Sequence, residues 1–318
     1  MILAALDALL HDATAGDPVK GTKWTRKTLR TLCAALVAQG FSTTSPMTVR
    51  RLLQGRGYRQ RVNRKRLTKD HNAHRDRPIR YLTRKRRAFL KAGDPVLSVD
   101  TKKKEWVGNF RNEGVTWRQG PLEVMETAFP SDAEGKAIPY GLYDVGRNHG
   151  FVVVGTAHET AEFAVAAIRR WWQRIGRPVY AEKRQVLIQA DSGGANGWRS
   201  WLWKAHLQKR ADELELTFIV THYPPGASKW NPVEHRLFCF ISMNWAGQPL
   251  VSFETVLKFI RTTKTQEGLR CQAWLDTTQY RTGEKVSTQE REQIKLKPHR
   301  ILPQWNYTIE PHAKNPDK

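Results

Sequence analysis

The stretch Pro95-Val-Leu-Ser-Val-Asp-Thr-Lys102 contains a short apolar run that ends in an acidic residue. Asp94-Pro95 is a turn signal, and an apolar run of this length after a turn predicts a buried β-strand. The run ends at Asp100. We therefore expect the Asp100 carboxylate at the carboxyl edge of the sheet that this strand joins.

Four further strands and three helices follow this first strand along the chain. The turn Gly146–Gly150 separates the second strand from the third, which predicts a hairpin. Helical and strand patterns alternate after the hairpin. The order β-β-β-α-β-α-β-α predicts an α/β fold with a mixed sheet and helices on both faces, which is the order of a ribonuclease H-like fold. The strands are predicted over residues 137–145, 151–158, 184–192 and 214–223, and the helices over 159–175, 197–213 and from Asn231 onward.

The charge of the chain is large, positive and unevenly distributed. The formal net charge of the 318 residues is +23 at pH 7, and the pI is about 10.2. Residues 1–92 contain 22 Lys and Arg against 5 Asp and no Glu. Such a balance indicates a polyanionic partner, nucleic acid before an acidic membrane surface, that binds mainly the N-terminal third.

The cysteine content and the hydropathy of the chain indicate in which cellular compartment it is expected. Cys33, Cys239 and Cys271 are far apart and form no Cys-x-x-Cys pair, which predicts a reducing environment with neither a disulfide framework nor a cysteine zinc site. No apolar run approaches the roughly 20 residues that a membrane-spanning helix needs. The apolar start contains Asp7 and lacks a basic region, so we predict an amphipathic helix and no signal peptide. We expect a soluble, cytoplasmic protein.

Two helices with a short turn between them are predicted near the N-terminus. Residues 24–39 place apolar side chains at helical spacing, and Ser45-Pro46 is typical of the start of a second helix that reaches about Gln54. A helix, a short turn and a basic helix form the pattern of a helix-turn-helix. Two helices of another small bundle remain an alternative. The candidate DNA-binding residues here and in the following basic arm are Arg50, Arg51, Arg56, Arg59, Arg61, Arg64, Lys65 and Arg66.

The composition divides the chain into four parts. The stretch after the second helix is polar and basic, which suits an arm that contacts phosphates or enters the minor groove. Strands begin after it. The predicted parts are a small all-α helix-turn-helix domain (1–60), a basic linker (61–93), the catalytic domain (94–250) and a C-terminal helical extension and tail (251–318).

Three carboxylates occupy corresponding places in this predicted fold. Asp100 ends the first strand, Asp191 ends the fourth, and Glu234 lies in the first turn of the helix after the fifth. The first and fourth strands are neighbours and parallel in a sheet of this order, so their carboxyl ends meet. Three clustered carboxylates require cations, and two Mg²⁺ or Mn²⁺ ions suit oxygen ligands and phosphoryl transfer.

Each carboxylate also has a purely structural interpretation. Aspartates after strands are common loop residues, and either one taken alone is more often structural than catalytic. Asn231, Pro232 and Glu234 together fit a capping box, in which Glu234 would serve the start of its own helix. On spacing alone the cap is the better interpretation of Glu234. Only the joint placement of the three residues favours a catalytic site.

The segment Thr221–His235 contains the second strong signal. Pro224-Pro225-Gly226 predicts a stiff turn, after which Asn231 and Pro232 start a helix that positions Glu234. Lys229 and Trp230 are candidates for holding a phosphate and stacking a base. A solvated lysine and a packed tryptophan are the equally weighted alternative.

Long motifs in this chain resemble those of the Rhodopirellula-type DDE transposases of bacterial insertion sequences. The resemblance runs from about residue 20 to Ile309. It continues through motifs in the same order along the chain, which makes it specific. The motifs are Ser98–Phe110, Gly135–Gly141, Ala167–Trp172, Ala190–Gly197, Pro224–Phe238 and Ile241–Trp245.

The resemblance implies a ribonuclease H-like catalytic domain in which Asp100, Asp191 and Glu234 form the acidic triad. It also implies that residues 20–80 bind DNA and that a homodimer assembles on double-stranded DNA, namely the terminal repeats and the target. Family members usually have more sequence before this chain's start, so we expect a shortened DNA-binding region. The hypothesis is hydrolysis of a phosphodiester at the element end, followed by attack of the freed 3′-hydroxyl on target DNA.

Two other functions remain open from the sequence. One is a ribonuclease H-like nuclease that never joins strands. The other is a catalytically inactive, transposase-derived DNA-binding protein. The presence of all three acidic residues argues against the second.

Overall fold

The computed structural model describes residues 1–11, 14–16, 23–25, 27–60, 76–227 and 230–313. The chain divides into two compact units, Met1–Lys69 and Asp70–Lys318. Within the described residues, no helix is both long enough and apolar enough to cross a membrane.

The N-terminal unit contains three helices and a small hairpin. A hydroxyl caps the second and third helices: the Thr28 and Ser45 side chains accept hydrogen bonds from Thr31 N and Thr48 N, each at 3.1 Å. Because two strands pair here, the predicted all-α helix-turn-helix domain is not confirmed. The elements are α1 (Ile2–His11), β1 (Thr14–Gly16), β2 (Lys23–Thr25), α2 (Leu29–Ala38) and α3 (Pro46–Gly55), and the core is Leu6, Leu10, Leu32, Leu36 and Val49.

The second unit holds the main sheet and the helices around it. Two segments, Trp172–Gly176 and Glu234–Phe238, are π-helical turns within longer helices. The strands are β3 (Val96–Thr101), β4 (Glu105–Val107), β5 (Gly135–Asp144), β6 (His149–Gly155), β7 (Gln185–Ala190), β8 (Thr217–His222), β9 (Arg270–Asp276), β10 (Leu296–Pro298) and β11 (Asn306–Ile309). The helices are α4 (Asp76–Lys91), α5 (Ala161–Trp171), α6 (Arg177–Val179), α7 (Trp201–Leu214), α8 (Cys239–Asn244), α9 (Phe253–Thr262) and α10 (Thr288–Glu292).

The sheet has nine strands in the order β10-β11-β8-β7-β3-β5-β6-β9, with β4 paired to β5. β3 is parallel to β7 and antiparallel to β5, and β7 is parallel to β8. The predicted mixed α/β sheet is therefore confirmed. Its five predicted strands form the centre of the sheet, and β3 lies between β5 and β7.

Two predicted segments differ from the structure. Residues 251–318 are not only a helical extension and tail, because β9, β10 and β11 extend both edges of the main sheet. β9 pairs with β6 in parallel. This pairing is long-range, so no turn sequence between the two strands predicts it. The predicted linker 61–93 contains the 16-residue helix α4, whose dense Arg and Lys face obscures the apolar stripe of Tyr81, Leu82 and Phe89.

Helices cover both faces of the sheet. α5 and α7 pack on one face against β3 residues Leu97 and Val99. The helix that contains Glu234 packs on the other face through Leu237 and Phe238. Gly141 of β5 permits this contact, because a Cβ atom there would overlap the Phe238 ring. The bare backbone beside Asp100 thus lets the Glu234 helix approach the sheet closely.

Candidate active site

Asp100 and Asp191 lie at the carboxyl ends of adjacent parallel strands and point to the same face. Asp100 is in β3, and Asp191 directly follows β7, whose Ala190 pairs with Val99. Side chains alternate along a strand, and Leu97, Val99, Ile188 and Ala190 belong to the core under α5 and α7. The two aspartates therefore face the opposite side, where the Glu234 helix lies.

Ser98 attaches the Glu234 helix to β3. Its hydroxyl donates a hydrogen bond to Asn231 Oδ1 and accepts one from Val233 N at 2.9 Å. Both groups are buried, and Ser98 is only two residues before Asp100. The start of the helix is therefore fixed directly against the strand that carries the first aspartate.

The capping-box interpretation of Glu234 does not match these contacts. Asn231 Oδ1 receives the Ser98 hydroxyl, and Glu234 N bonds to the Asn231 backbone oxygen at 3.2 Å. Among the described residues, no hydrogen bond joins the Glu234 side chain to Asn231. Glu234 instead begins a π-helical turn, a backbone form that often occurs at functional sites. Pro232 occupies the first helical turn before it.

The loop after β7 holds the Asp191 carboxylate in place. Asn196 Nδ2 and Gly193 N donate to Asp191 Oδ1 at 3.0 and 3.3 Å. Asn196 is buried, and its backbone oxygen lies 2.8 Å from the ring of the buried His222. This loop therefore supports Asp191 from the end of β8 as well as from its own strand.

Burial and the neighbouring carboxylates raise the pKa of Asp100 and of Asp191. Burial, together with the charges of Asp191, Glu234 and Glu159, raises the pKa of Asp100 to about 8, although a hydrogen bond from Thr101 N opposes the shift. Burial also raises the pKa of Asp191, although its Gly193 and Asn196 hydrogen bonds oppose the shift. Ionising the whole cluster is therefore unfavourable without a cation beside it.

Glu159 is a fourth acidic residue at this edge that the sequence interpretation missed. It follows β6, whose carboxyl end lies at the same edge as those of β3 and β7, and it raises the pKa of both aspartates. Its carboxylate pairs with Lys104 Nζ at 2.8 Å. The strand order that placed Asp100 and Asp191 could have identified Glu159 as well.

Lys102 is a buried cation next to the cluster. Burial lowers its pKa, while the charges of Glu105 and Glu234 raise it. The ammonium group bonds to Glu105 Oε1 at 3.1 Å and lies 4.4 Å from the centre of the Trp245 ring. We expect Lys102 to be held by these partners and to leave the triad carboxylates for other cations.

The donor set of the triad fits hard divalent cations. All three groups offer carboxylate oxygens, the ligand type of Mg²⁺ and Mn²⁺. One oxygen from each does not lie within 4.8 Å of the other two, a spacing wider than one coordination shell. A pair of divalent cations would suit carboxylates spaced in this way.

The predicted DNA-binding residues are distributed unevenly. Arg50 and Arg51 are exposed on α3. Arg56 forms an ion pair with Asp7, and Arg59 donates to the Gln54 and Tyr58 carbonyl oxygens. Trp230 is 36% exposed. Arg61, Arg64, Lys65, Arg66 and Lys229 lie outside the residues that the structure describes.

A basic groove, which we call the α4 groove, lies on the second unit. A cavity of about 590 Å³ is lined by residues of α4 and of the β10–β11 connection, and none of the described residues that line it is a carboxylate. Tyr81 Oη lies 2.8 Å from His299 Nδ1 within it. Burial and the Lys85 charge lower the pKa of His299 to about 4. The lining residues are Arg77, Tyr81, Arg84, Lys85, His299, Arg300 and Ile301.

The α4 groove continues toward the loop of Asp191. A second cavity of about 510 Å³ shares Arg77 and Arg300 with the first and reaches Trp305. The Trp305 ring lies 6.4 Å from that of Trp198, and the Arg199 guanidinium lies 4.7 Å from the Trp198 ring. Cations and aromatic faces therefore lead from α4 to the segment that follows Asp191.

Replacing Ser98 with alanine tests how Glu234 is positioned. We expect Ser98→Ala to slow metal-dependent DNA cleavage about tenfold, since it removes two hydrogen bonds worth roughly 1 kcal/mol each. The metal concentration for half-maximal rate should rise too. Ser252→Ala removes a comparable helix-start bond, to Thr255 N of α9, and should leave the metal dependence unchanged. An equal effect of both substitutions on metal dependence would contradict a positioning role for Ser98.

Comparison with known proteins identifies the family. Three solved structures resemble the chain: the Mos1 transposase paired-end complex with left transposon end (19% identity, TM-score 0.44), the Mos1 mariner paired end complex with Mn (19%, 0.45) and a pre-cleavage Mos1 transpososome (17%, 0.46). Each covers 81% of this chain and 69% of the other. Similarity at this level assigns no individual residue. No curated protein sequence matches. The Rhodopirellula transposase DDE domain family matches residues 5–311, so the chain belongs to this family of transposases.

Proposed function

We propose that this transposase cleaves DNA at the ends of an insertion sequence and joins them to target DNA with Asp100, Asp191 and Glu234. The observation that carries the proposal is the convergence of three carboxylates from β3, from the end of β7 and from the helix after β8. Their side chains lie at the carboxyl edge of the sheet, where α/β proteins bind ligands, and the charges of Asp191 and Glu234 raise the pKa of Asp100.

Each residue of the triad would have a separate role at this site. Asp100 and Asp191 would hold divalent cations between the two parallel strands, and Glu234 would complete the ligand set from the opposite helix. Two bound Mg²⁺ or Mn²⁺ ions would activate the attacking oxygen and stabilise the leaving oxygen. Ser98 and Asn231 fix the approach of Glu234, and Asn196 fixes that of Asp191. The same arrangement serves hydrolysis and strand joining, since both are in-line displacements at phosphorus.

The α4 groove supports a path for the DNA backbone on the catalytic unit. Its cations, Arg77, Arg84, Lys85 and Arg300, suit phosphate contacts, and Trp198 and Trp305 offer faces for stacking. His299 stays neutral near pH 7, so the four cations supply the charge. Double-stranded DNA would then contact both the N-terminal region and this groove. Two copies on paired ends are the assembly we expect.

An assay with paired DNA substrates tests the proposed function. Duplexes that carry the element ends should be cut in the presence of Mg²⁺. Ends supplied with a free 3′-hydroxyl should be joined to a target plasmid. Cleavage without joining at any metal concentration would favour the nuclease. Binding without cleavage would favour the inactive DNA-binding protein.

Substitutions in the α4 groove test the DNA path. The triple variant Arg84→Ala/Lys85→Ala/Arg300→Ala should bind element-end DNA about 10- to 100-fold more weakly, with a shallower dependence of affinity on salt, because fewer counterions are released. Fluorescence anisotropy across a salt series measures both quantities. The exposed control Arg147→Ala/Arg174→Ala/Arg177→Ala removes the same charge elsewhere on the unit. Parental affinity and salt slope in the groove variant would place the DNA on another surface.

A further inference from the structure

A second group of metal-ligating side chains lies outside the triad. Glu162 is in the first turn of α5, His206 is on α7, and Glu284 is in the irregular segment between β9 and α10. Each offers one ligand atom, and the three atoms lie within 4.8 Å of one another. Among the described residues this is the only such group of three.

The buried imidazole of His206 is an independent indication of a ligand at this group of side chains. Its side chain is 6% exposed, and its buried Nε2 has no hydrogen-bond partner. Leaving such a nitrogen unpaired inside a protein costs about 1–3 kcal/mol. Burial also lowers the pKa of His206, although the charges of Glu162 and Glu284 oppose the shift. The imidazole is therefore neutral near pH 7, which is the form that binds metals.

The two carboxylates have no competing partners. Within the described part of the chain, neither Glu162 nor Glu284 forms a hydrogen bond or an ion pair. The basic neighbours that act on His206 are Lys209 and Arg210, and Arg210 pairs with Glu213. The net charge that a cation would meet at the three side chains is therefore negative.

We propose that Glu162, His206 and Glu284 bind a zinc ion that ties the segment between β9 and α10 to α5 and α7. One imidazole nitrogen and two carboxylate oxygens are ligands of Zn²⁺, whereas Mg²⁺ and Ca²⁺ prefer oxygen alone. Ligand atoms around tetrahedral zinc lie about 3.3 Å apart. The exposed Glu284 can rotate to close this gap, and the fourth position is left for water.

Zinc binding to the full chain tests this site apart from the triad. The chain used for the test carries Asp100→Asn, Asp191→Asn and Glu234→Gln, so that the triad holds no metal. Isothermal titration with ZnCl₂ at pH 7.5 should give one ion per chain, with a rise in Tm. Mg²⁺ should give neither. Absence of zinc binding in this chain would overturn the proposal, whether or not the triad cleaves DNA.

Single substitutions identify the ligands. Glu284→Gln should reduce zinc affinity at least tenfold, and because Glu284 is exposed it should not unfold the chain. Glu162→Gln should also reduce zinc affinity at least tenfold. Glu254→Gln, an exposed glutamate in the first turn of α9, is the matched control and should bind zinc as the parent does. Unchanged zinc affinity in both Glu284→Gln and Glu162→Gln would overturn the proposal even if zinc binds elsewhere, for instance at a cysteine.

Discussion

Asp191→Asn is expected to reduce metal-dependent cleavage of element-end DNA by about 10³-fold or more. The amide keeps the size of the side chain and the hydrogen bonds around it but removes the negative charge that holds a cation. Losing several kcal/mol of transition-state stabilisation corresponds to a loss of this size. Single-turnover cleavage of end-labelled duplex in Mg²⁺ and in Mn²⁺ measures the effect.

Asp132→Asn is the matched control for this substitution. Asp132 is exposed in the turn Pro130–Asp132, so the same chemical change there should leave the cleavage rate within about twofold of the parent. Both variants should give the parental circular dichroism spectrum. Cleavage by Asp191→Asn at the parental rate and metal dependence would remove Asp191 from the active site.

The second large effect concerns stability. In EDTA, Asp100→Asn is expected to melt on the order of 5 °C above the parent at pH 8.5, with a smaller difference at pH 5. Asp100 has a pKa of about 8 in the folded chain against an ordinary value of 3.8. The folded protein keeps a proton that the unfolded chain releases, so its stability falls as pH rises through this window. Asparagine does not titrate and escapes that loss.

In the presence of a divalent metal, the parent should have a higher Tm than Asp100→Asn. If the triad binds metal as proposed, Mn²⁺ should stabilise the folded parent by binding the ionised cluster, while Asp100→Asn should gain little. Differential scanning fluorimetry across pH 5–9, with and without Mn²⁺, measures both effects. If the difference in Tm between variant and parent in EDTA does not change with pH, Asp100 does not carry a raised pKa.

The centre of the fold was predictable because its strands are short apolar runs separated by clear turns. β3, β5, β6, β7 and β8 follow such runs closely. The edge strands were not predictable, because they lack such apolar runs and clear turns. β9 contains charged and polar residues and pairs with β6, more than a hundred residues earlier. The sequence interpretation missed α4 because basic residues dominate its composition, although Tyr81, Leu82 and Phe89 pack inward.

The candidate site was predictable to different degrees at each residue. Strand order alone indicated that Asp100 and Asp191 would meet. On spacing alone Glu234 was better explained as a cap, and the contact of Ser98 with Asn231 argues against that interpretation. That contact joins residues 133 positions apart, so spacing could not reveal it. Glu159 was missed because it follows the antiparallel hairpin, where no ligand was sought.

Anomalous scattering from crystals of the full chain soaked in MnCl₂ tests whether the triad binds metal. We predict manganese about 2.1 Å from carboxylate oxygens of Asp100 and Asp191, with Glu234 on the same cluster and no manganese there in Asp191→Asn. Manganese bound only elsewhere, in a protein that still cuts DNA, would contradict the assignment of the triad.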